Sequence, residues 1–139
     1  MAILNTEYQD VLGINPKYNK VIDSSLTLKG CEVFQAVVNK CAYNILHYDE
    51  IKARAWHEYT FGIRRNKAGE FAPSPFTAHQ IVCYCNVPAP GATMTKLISL
   101  GLLVKHSKTG GVCEYRIPYD LFTTNDLSIK FYNPDIPQF

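Results

Sequence analysis

The run from Thr77 to Ile117, TAHQIVCYCNVPAPGATMTKLISLGLLVKHSKTGGVCEYRI, constrains this chain more than any other stretch, because start, stop and turn signals follow one another in a fixed order. Phe76-Thr77-Ala78-His79-Gln80-Ile81 is a helix start, in which Thr77 caps the Gln80 amide, Gln80 reaches back and Phe76 staples onto Ile81. Ala78, Ile81, Val82 and Cys85 then recur at helical spacing, and Asn86 with Pro88 ends the helix, since a residue before proline is driven out of the α region. A turn over Asn86 to Ala89 leads to Pro90, suited to the first turn of a second helix with Met94, Leu97 and Ile98 inward and Gly101 as a left-handed cap. Leu102-Leu103-Val104 opens a strand, Ser107 to Gly111 turn, and Cys113, Tyr115 and Ile117 alternate with Glu114 and Arg116 on the way back. The signals predict helices over 78–86 and 90–100 and a hairpin within 102–117.

Two short helices, a tight turn and a two-stranded ribbon in this order resemble a winged helix-turn-helix. Met94-x-x-Leu97-x-x-Leu100-Gly101-Leu102 is similar to the closing pattern of recognition helices that run into a wing, shifted only in its third leucine. The resemblance implies an α+β, mostly helical fold, a winged helix-turn-helix with extra N-terminal helices and a C-terminal extension, and double-stranded DNA as partner. Two helices and a hairpin also occur in domains that bind no nucleic acid, because fold does not fix function.

At 139 residues, 47% of them hydrophobic, the chain suffices for one ordinary core. We expect a single domain over 1–139, with 1–25 as an N-terminal flap, 26–117 as the winged-helix body and 118–139 as a C-terminal extension. The net charge of +2 is modest for a nucleic-acid binder but unevenly placed. Residues 71–117 set Lys96, Lys105, Lys108 and Arg116 against Glu114 alone, whereas 118–139 set Lys130 against Asp120, Asp126 and Asp135. Five cysteines, an odd number without a secretory leader, point to a reducing compartment, and no apolar run approaches membrane length. A cytoplasmic protein with no membrane partner is expected.

From the N-terminus, Asn5-Thr6-Glu7 caps a short helix ending at Gly13, and Asn15-Pro16 is a turn. The longest helical pattern follows, capped by Thr27, with Leu28, Cys31, Phe34, Val38, Cys41, Ala42 and Ile45 at three- and four-residue steps. Val33, Val37 and Leu46 widen its apolar face, so this helix, over 28–46, should be covered on two sides. A second core helix over 50–60 carries Ile51, Ala55, Trp56 and Tyr59 on one face. Phe61 to Gly69 is then a linker rich in cations. After Ile117, Pro118-Tyr119-Asp120-Leu121-Phe122 begins a last short helix, and the aromatic tail with Phe131, Tyr132, Ile136 and Phe139 lies over the domain or completes a partner subunit.

A second resemblance is to the amino-terminal origin-binding domain of lambda-type phage replication proteins. It rests on Leu26-Thr27, a helix with Val33 and Phe34, Phe61-Gly62 followed by basic residues, and the capped helix-turn-helix. The chain departs from that family in the longer stretch before Phe61-Gly62 and in Pro73-Ser74-Pro75 ahead of Thr77. It implies a phage or mobile-element protein of replication or transcription control.

With Met94, Leu97 and Ile98 inside, Ala92, Thr93, Thr95, Lys96 and Ser99 form the outward face that would read base edges in a major groove. This set is short and hydroxylic and lacks the Arg, Asn or Gln of bidentate base contacts, so positioning contacts should dominate. Lys105, His106, Lys108 and Thr109 of the wing are placed for backbone or minor groove, and Arg64, Arg65 and Lys67 of the linker for phosphates, unless that linker is simply a solvated loop. His79, Cys83 and Cys85 lack the fourth ligand a structural zinc needs, the cysteines sit mostly on apolar faces, and Thr109-Gly110-Gly111 precedes no helix. No catalytic, metal or cofactor site is expected, and the protein is not expected to be an enzyme. Two readings stay open: a DNA-binding regulator of transcription or replication, as a monomer or a homodimer, and a winged-helix protein-interaction module docking a polymerase or replisome partner. The salt dependence of binding separates them, since only phosphate contacts release counterions.

Overall fold

A 19-residue helix, α2 (Leu28–Leu46), forms the axis on which the other elements are hung. In the computed structural model, which describes residues 3–54 and 60–134, the arrangement is α+β. Thr27 caps α2 as the sequence predicts, its hydroxyl accepting from the Gly30 amide at 3.0 Å. Cys31, Val33, Phe34, Val37, Val38, Cys41, Ala42 and Ile45 are all buried, and they occupy too much of the helix circumference for one neighbour to cover. Ahead of it lies α1 (Asn19–Ser25), which no sequence signal announced, and after it α3 (Tyr48–Arg54), whose Ile51 is buried as expected. Ala55, Trp56 and Tyr59 of the expected 50–60 helix fall outside the described residues.

The expected linker over Phe61–Gly69 is instead a hairpin, with β2 (Ile63–Arg65) antiparallel to β3 (Phe71–Pro73) and Arg65 opposite Phe71. Its turn is made by Asn66, whose side-chain oxygen accepts from the amides of Ala68 and Glu70 at 3.0 and 2.9 Å. Strands of three residues carry too little alternation to be seen in the sequence.

The predicted helix pair is built around β4 (Phe76–Thr77), α4 (Ala78–Val82) and α5 (Gly91–Ser99). Both bonds of the Thr77/Gln80 capping box are present, at 3.3 and 2.9 Å, and the stapled Phe76 and Ile81 are fully buried. The helix is shorter than predicted, ending at Val82 rather than Asn86, and Val82 is exposed rather than in the core. The cause is tertiary. The Tyr84 amide bonds Ile81 in a tighter turn, the Tyr84 ring sits edge-on to Phe61 at 5.2 Å, and the Asn86 amide reaches Glu32 of α2 at 3.3 Å.

Helix α5 follows the prediction, with Met94 and Leu97 fully buried and Ile98 half-buried. The ribbon consists of β5 (Val104–Thr109) and β6 (Val112–Arg116). Its turn is confined to Gly110-Gly111, both at positive φ (58° and 82°), as a two-residue hairpin loop matched to strand twist requires. Leu102 and Leu103 do not start the strand as expected but are buried beneath it, and a register shift between Lys105 and Ser107 makes room for His106. Strand β4 pairs with β6 on its other edge, Phe76 opposite Tyr115, so the sheet runs β4-β6-β5.

Both ends depart from expectation. The helix expected from Asn5 to Gly13 is a single 3-10 turn at Thr6–Tyr8, followed by β1 (Leu12–Ile14). The last helix expected from Pro118 is a turn into β7 (Phe122–Thr124), which pairs antiparallel with β1. Asn15 fastens the two, its amide donating to Leu121 at 2.8 Å and its side chain to Asp120 at 3.0 Å. The flap and the extension therefore complete one another. The tail lies over the domain through Tyr132: the Phe71 amide donates to Lys130, the Tyr132 amide to Phe71, and Phe131 stacks on Phe122 at 6.2 Å. Ile136 and Phe139 lie outside the described residues. Among the described residues no helix is long and apolar enough to cross a membrane.

Candidate nucleic-acid interface

Helix α5 is seated on the first turns of α2, where a Cβ added to Gly30 would lie 3.8 Å from Leu97 Cδ2. Its far end is closed by a paired cap in which the Leu102 amide donates to Leu97 and the Gly101 amide to Ile98, both at 3.0 Å. This cap turns the chain toward the ribbon, which begins at Val104.

On the outward face Ala92, Thr95, Lys96 and Ser99 are exposed and Thr93 is half-buried. Two of the hydroxyls are already engaged. Thr95 Oγ1 donates to the Gly91 carbonyl at 3.1 Å and Ser99 Oγ to the Lys96 carbonyl at 2.6 Å, which leaves both as acceptors only. Lys96 is then the sole cation on the helix. On the ribbon Lys105 and His106 are exposed, while Lys108 and Thr109 belong to β5 by their backbone and their side chains lie outside the described part. Glu114 is the acid among them, its Oε1 accepting from the Ser107 hydroxyl at 2.7 Å.

The β2–β3 hairpin that carries Arg64, Arg65 and Lys67 meets α2 at a different level from α5. Phe61, at the hairpin's foot, accepts from the Asn44 side chain at 3.0 Å, whereas α5 meets α2 at Gly30. At 1.5 Å per residue these two levels of α2 are roughly 20 Å apart. Arg64 and Lys67 are exposed there, but Arg65 is committed: it ion-pairs with Asp49 of α3, lies 4.8 Å over the Tyr48 ring, and its amide donates to the Tyr48 hydroxyl. The hydrogen bond to Asp49 holds its guanidinium above the ordinary value against an opposing push from burial. Arg65 thus tethers the hairpin to α3.

His79 and Cys83 are exposed, and the Cys85 thiol lies 3.9 Å from the Val87 carbonyl. Among the described residues no three His, Cys, Asp or Glu side chains are grouped to hold a metal ion. Cys41 is fully buried, and burial pushes its thiol well above the usual range. Sequence reasoning passed over Lys40, Tyr43 and Tyr84. A signal for Lys40 and Tyr43 was present, since Glu32, Gln35, Ala36, Asn39, Lys40 and Tyr43 fall on one stripe of α2 at helical spacing, whereas nothing local pointed to Tyr84. No family model matches this chain, and neither does any curated protein or solved structure.

Proposed function

We propose that this chain is a mostly helical winged helix-turn-helix protein that binds duplex DNA, a cytoplasmic regulator of transcription or replication of the phage or mobile-element type. The observation that carries this reading is the element order β4-α4-α5-β5-β6 with sheet order β4-β6-β5, which joins a helix with a polar outer face directly to a two-stranded ribbon. In this reading α5 enters the major groove while Lys105 and His106 meet the backbone. Affinity rests chiefly on phosphate contacts from Lys96, Lys105 and Lys108, and base readout by Thr93, Thr95 and Ser99 is weak because two of these hydroxyls are spent inside the helix. A homodimer would double the contacts and read a palindromic site.

The test is fluorescence anisotropy of the full chain on selected and scrambled duplexes at several salt concentrations. Duplex affinity should fall linearly on a log–log plot against salt. A parent affinity weaker than about 10⁻⁴ M at low salt, below ordinary non-specific binding, would overturn the proposal. The same engaged hydroxyls favour a second reading, in which the α5 face docks a protein of the replication or transcription machinery. That reading predicts binding with little salt dependence.

A further inference from the structure

Away from α5, an open groove of about 540 Å³ runs along α2. Its floor is the polar stripe Glu32, Gln35, Ala36, Asn39, Lys40 and Tyr43. One wall is the segment around Asn5 and Tyr8, the other the turn Tyr84–Asn86. Both walls are tied down. The Asn39 side chain donates to the Ile3 carbonyl at 2.9 Å and accepts from the Asn5 amide at 2.7 Å, while Glu32 accepts from Asn86 and Tyr84 rests on Phe61. The groove is therefore formed before any ligand arrives, which lowers the ordering cost of binding.

Lys40 is its centre. Its ammonium lies 4.8 Å from the ring of Tyr43 and 5.2 Å from that of Tyr84, and among the described residues no carboxylate ion-pairs with it. A cation beside two tyrosine rings offers an incoming anion a partner, and the exposed Tyr84 ring offers an incoming flat group a π surface, Tyr43 being packed against His47 at 4.6 Å. The Glu32 carboxylate, which has acceptor capacity beyond its bond to Asn86, lies on the same floor and suits a ring that donates N–H groups. We propose that this groove is a nucleotide site, taking one nucleobase against Tyr84 with its phosphate on Lys40. The nucleotide is either free or an unpaired residue of a strand. The site shares no residue with the α5 and ribbon face, so it stands or falls separately from the duplex proposal.

The experiment is calorimetric titration of the full chain with AMP, GMP, CMP and UMP, with adenosine and inorganic phosphate as half-ligands and a single-stranded oligonucleotide of about eight residues as the strand arm. We expect saturable binding of at least one mononucleotide, weaker binding of both half-ligands, and a loss of about tenfold or more in Lys40→Ala and in Tyr84→Ala. Tyr84→Phe, which keeps the ring and its packing on Phe61, should retain binding. A strand that binds through Lys40 far more tightly than the mononucleotides identifies an unpaired end as the source, and equal affinities identify the free nucleotide. The proposal is overturned if no mononucleotide and no strand binds below about 10 mM, or if Lys40→Ala binds as the parent does. It is overturned equally if Lys40→Ala weakens duplex binding in the same proportion, since the groove would then belong to the duplex interface.

Discussion

The Leu102 amide donates to the Leu97 carbonyl at 3.0 Å, and the side chains of both leucines are fully buried. Together with the bond from the Gly101 amide to Ile98, this backbone bond forms the paired cap that ends α5, and the apolar contact that accompanies such a cap fixes the angle at which the ribbon leaves it. Gly101 between them sits at φ +78° with open space where a Cβ would go. Gly101→Ala should therefore cost about 1–2 kcal/mol from backbone strain alone, with Gly101→Asn less damaging, as read by urea denaturation. Equal stability of parent and Ala variant would mean that the cap relaxes without loss.

Leu97 itself is fully buried between α5 and Gly30 of α2. Leu97→Ala should destabilise by about 2–5 kcal/mol, because the lost transfer energy is compounded by a cavity. Thermal unfolding at the parent temperature would show that α5 is turned differently.

Gly62 combines the two penalties. Its φ is +73° and an added Cβ would fall 2.5 Å from the Cys41 sulfur, inside a core with no slack. Gly62→Ala should cost more than Gly101→Ala, by roughly 1–3 kcal/mol for overpacking. The same burial makes Cys41 inert: with a thiol-specific chromogenic reagent, Cys83 should react at once and Cys41 only as the chain unfolds.

The junction of the two termini carries a pH dependence. Burial pushes the Asp120 carboxyl up, but hydrogen bonds from Lys17 and Tyr18 together with the Lys17 charge outweigh it and hold the group below its ordinary 3.8. A carboxylate whose folded value is depressed contributes stability above its unfolded value and loses it as pH falls through the folded one. Tyr18 is the reverse, its phenol raised by burial and then by Asp120, so its contribution is whole below pH 10.0 and is lost as pH rises above that. Asp120→Asn should lower stability at pH 7 and flatten the acid limb below pH 4. Urea midpoints across pH that are superimposable on the parent would show the junction to be energetically silent.

On the duplex proposal, Lys105→Ala should weaken all sequences and reduce the salt slope by about one unit, whereas Thr95→Ala and Ser99→Ala should change affinity by under about 1 kcal/mol. Arg65→Ala should act on stability and leave the salt slope unchanged, since its charge is held by Asp49. Anisotropy on selected and scrambled duplexes at four salt concentrations, with thermal unfolding of Arg65→Ala beside the parent, decides these.

What the sequence by itself determined lies within about five residues of its signal. The Thr27 cap, the Thr77/Gln80 box, the Gly101 cap and the Gly110-Gly111 turn are each formed by groups adjacent along the chain, so residue identity and spacing specify them without knowledge of the rest. Helical periodicity extended this to the inward faces of α5 and of α2 from Cys31 onward, Leu28 being exposed instead of inward. The tertiary structure alone decided where α4 stops, which short segments become strands, and what each surface cation does. Leu12–Ile14 pairs with Phe122–Thr124 through backbone groups that every residue possesses, so no side-chain pattern marks either partner. Arg64 and Arg65 are neighbours in sequence, yet only Arg65 meets Asp49 and Tyr48, because α3 comes to rest beside one and not the other. The role of Lys40 is likewise set by tertiary structure. Its place between Tyr43 and Tyr84 exists only because the turn after α4 folds back onto α2, a contact between segments too far apart in the chain for local signals to encode.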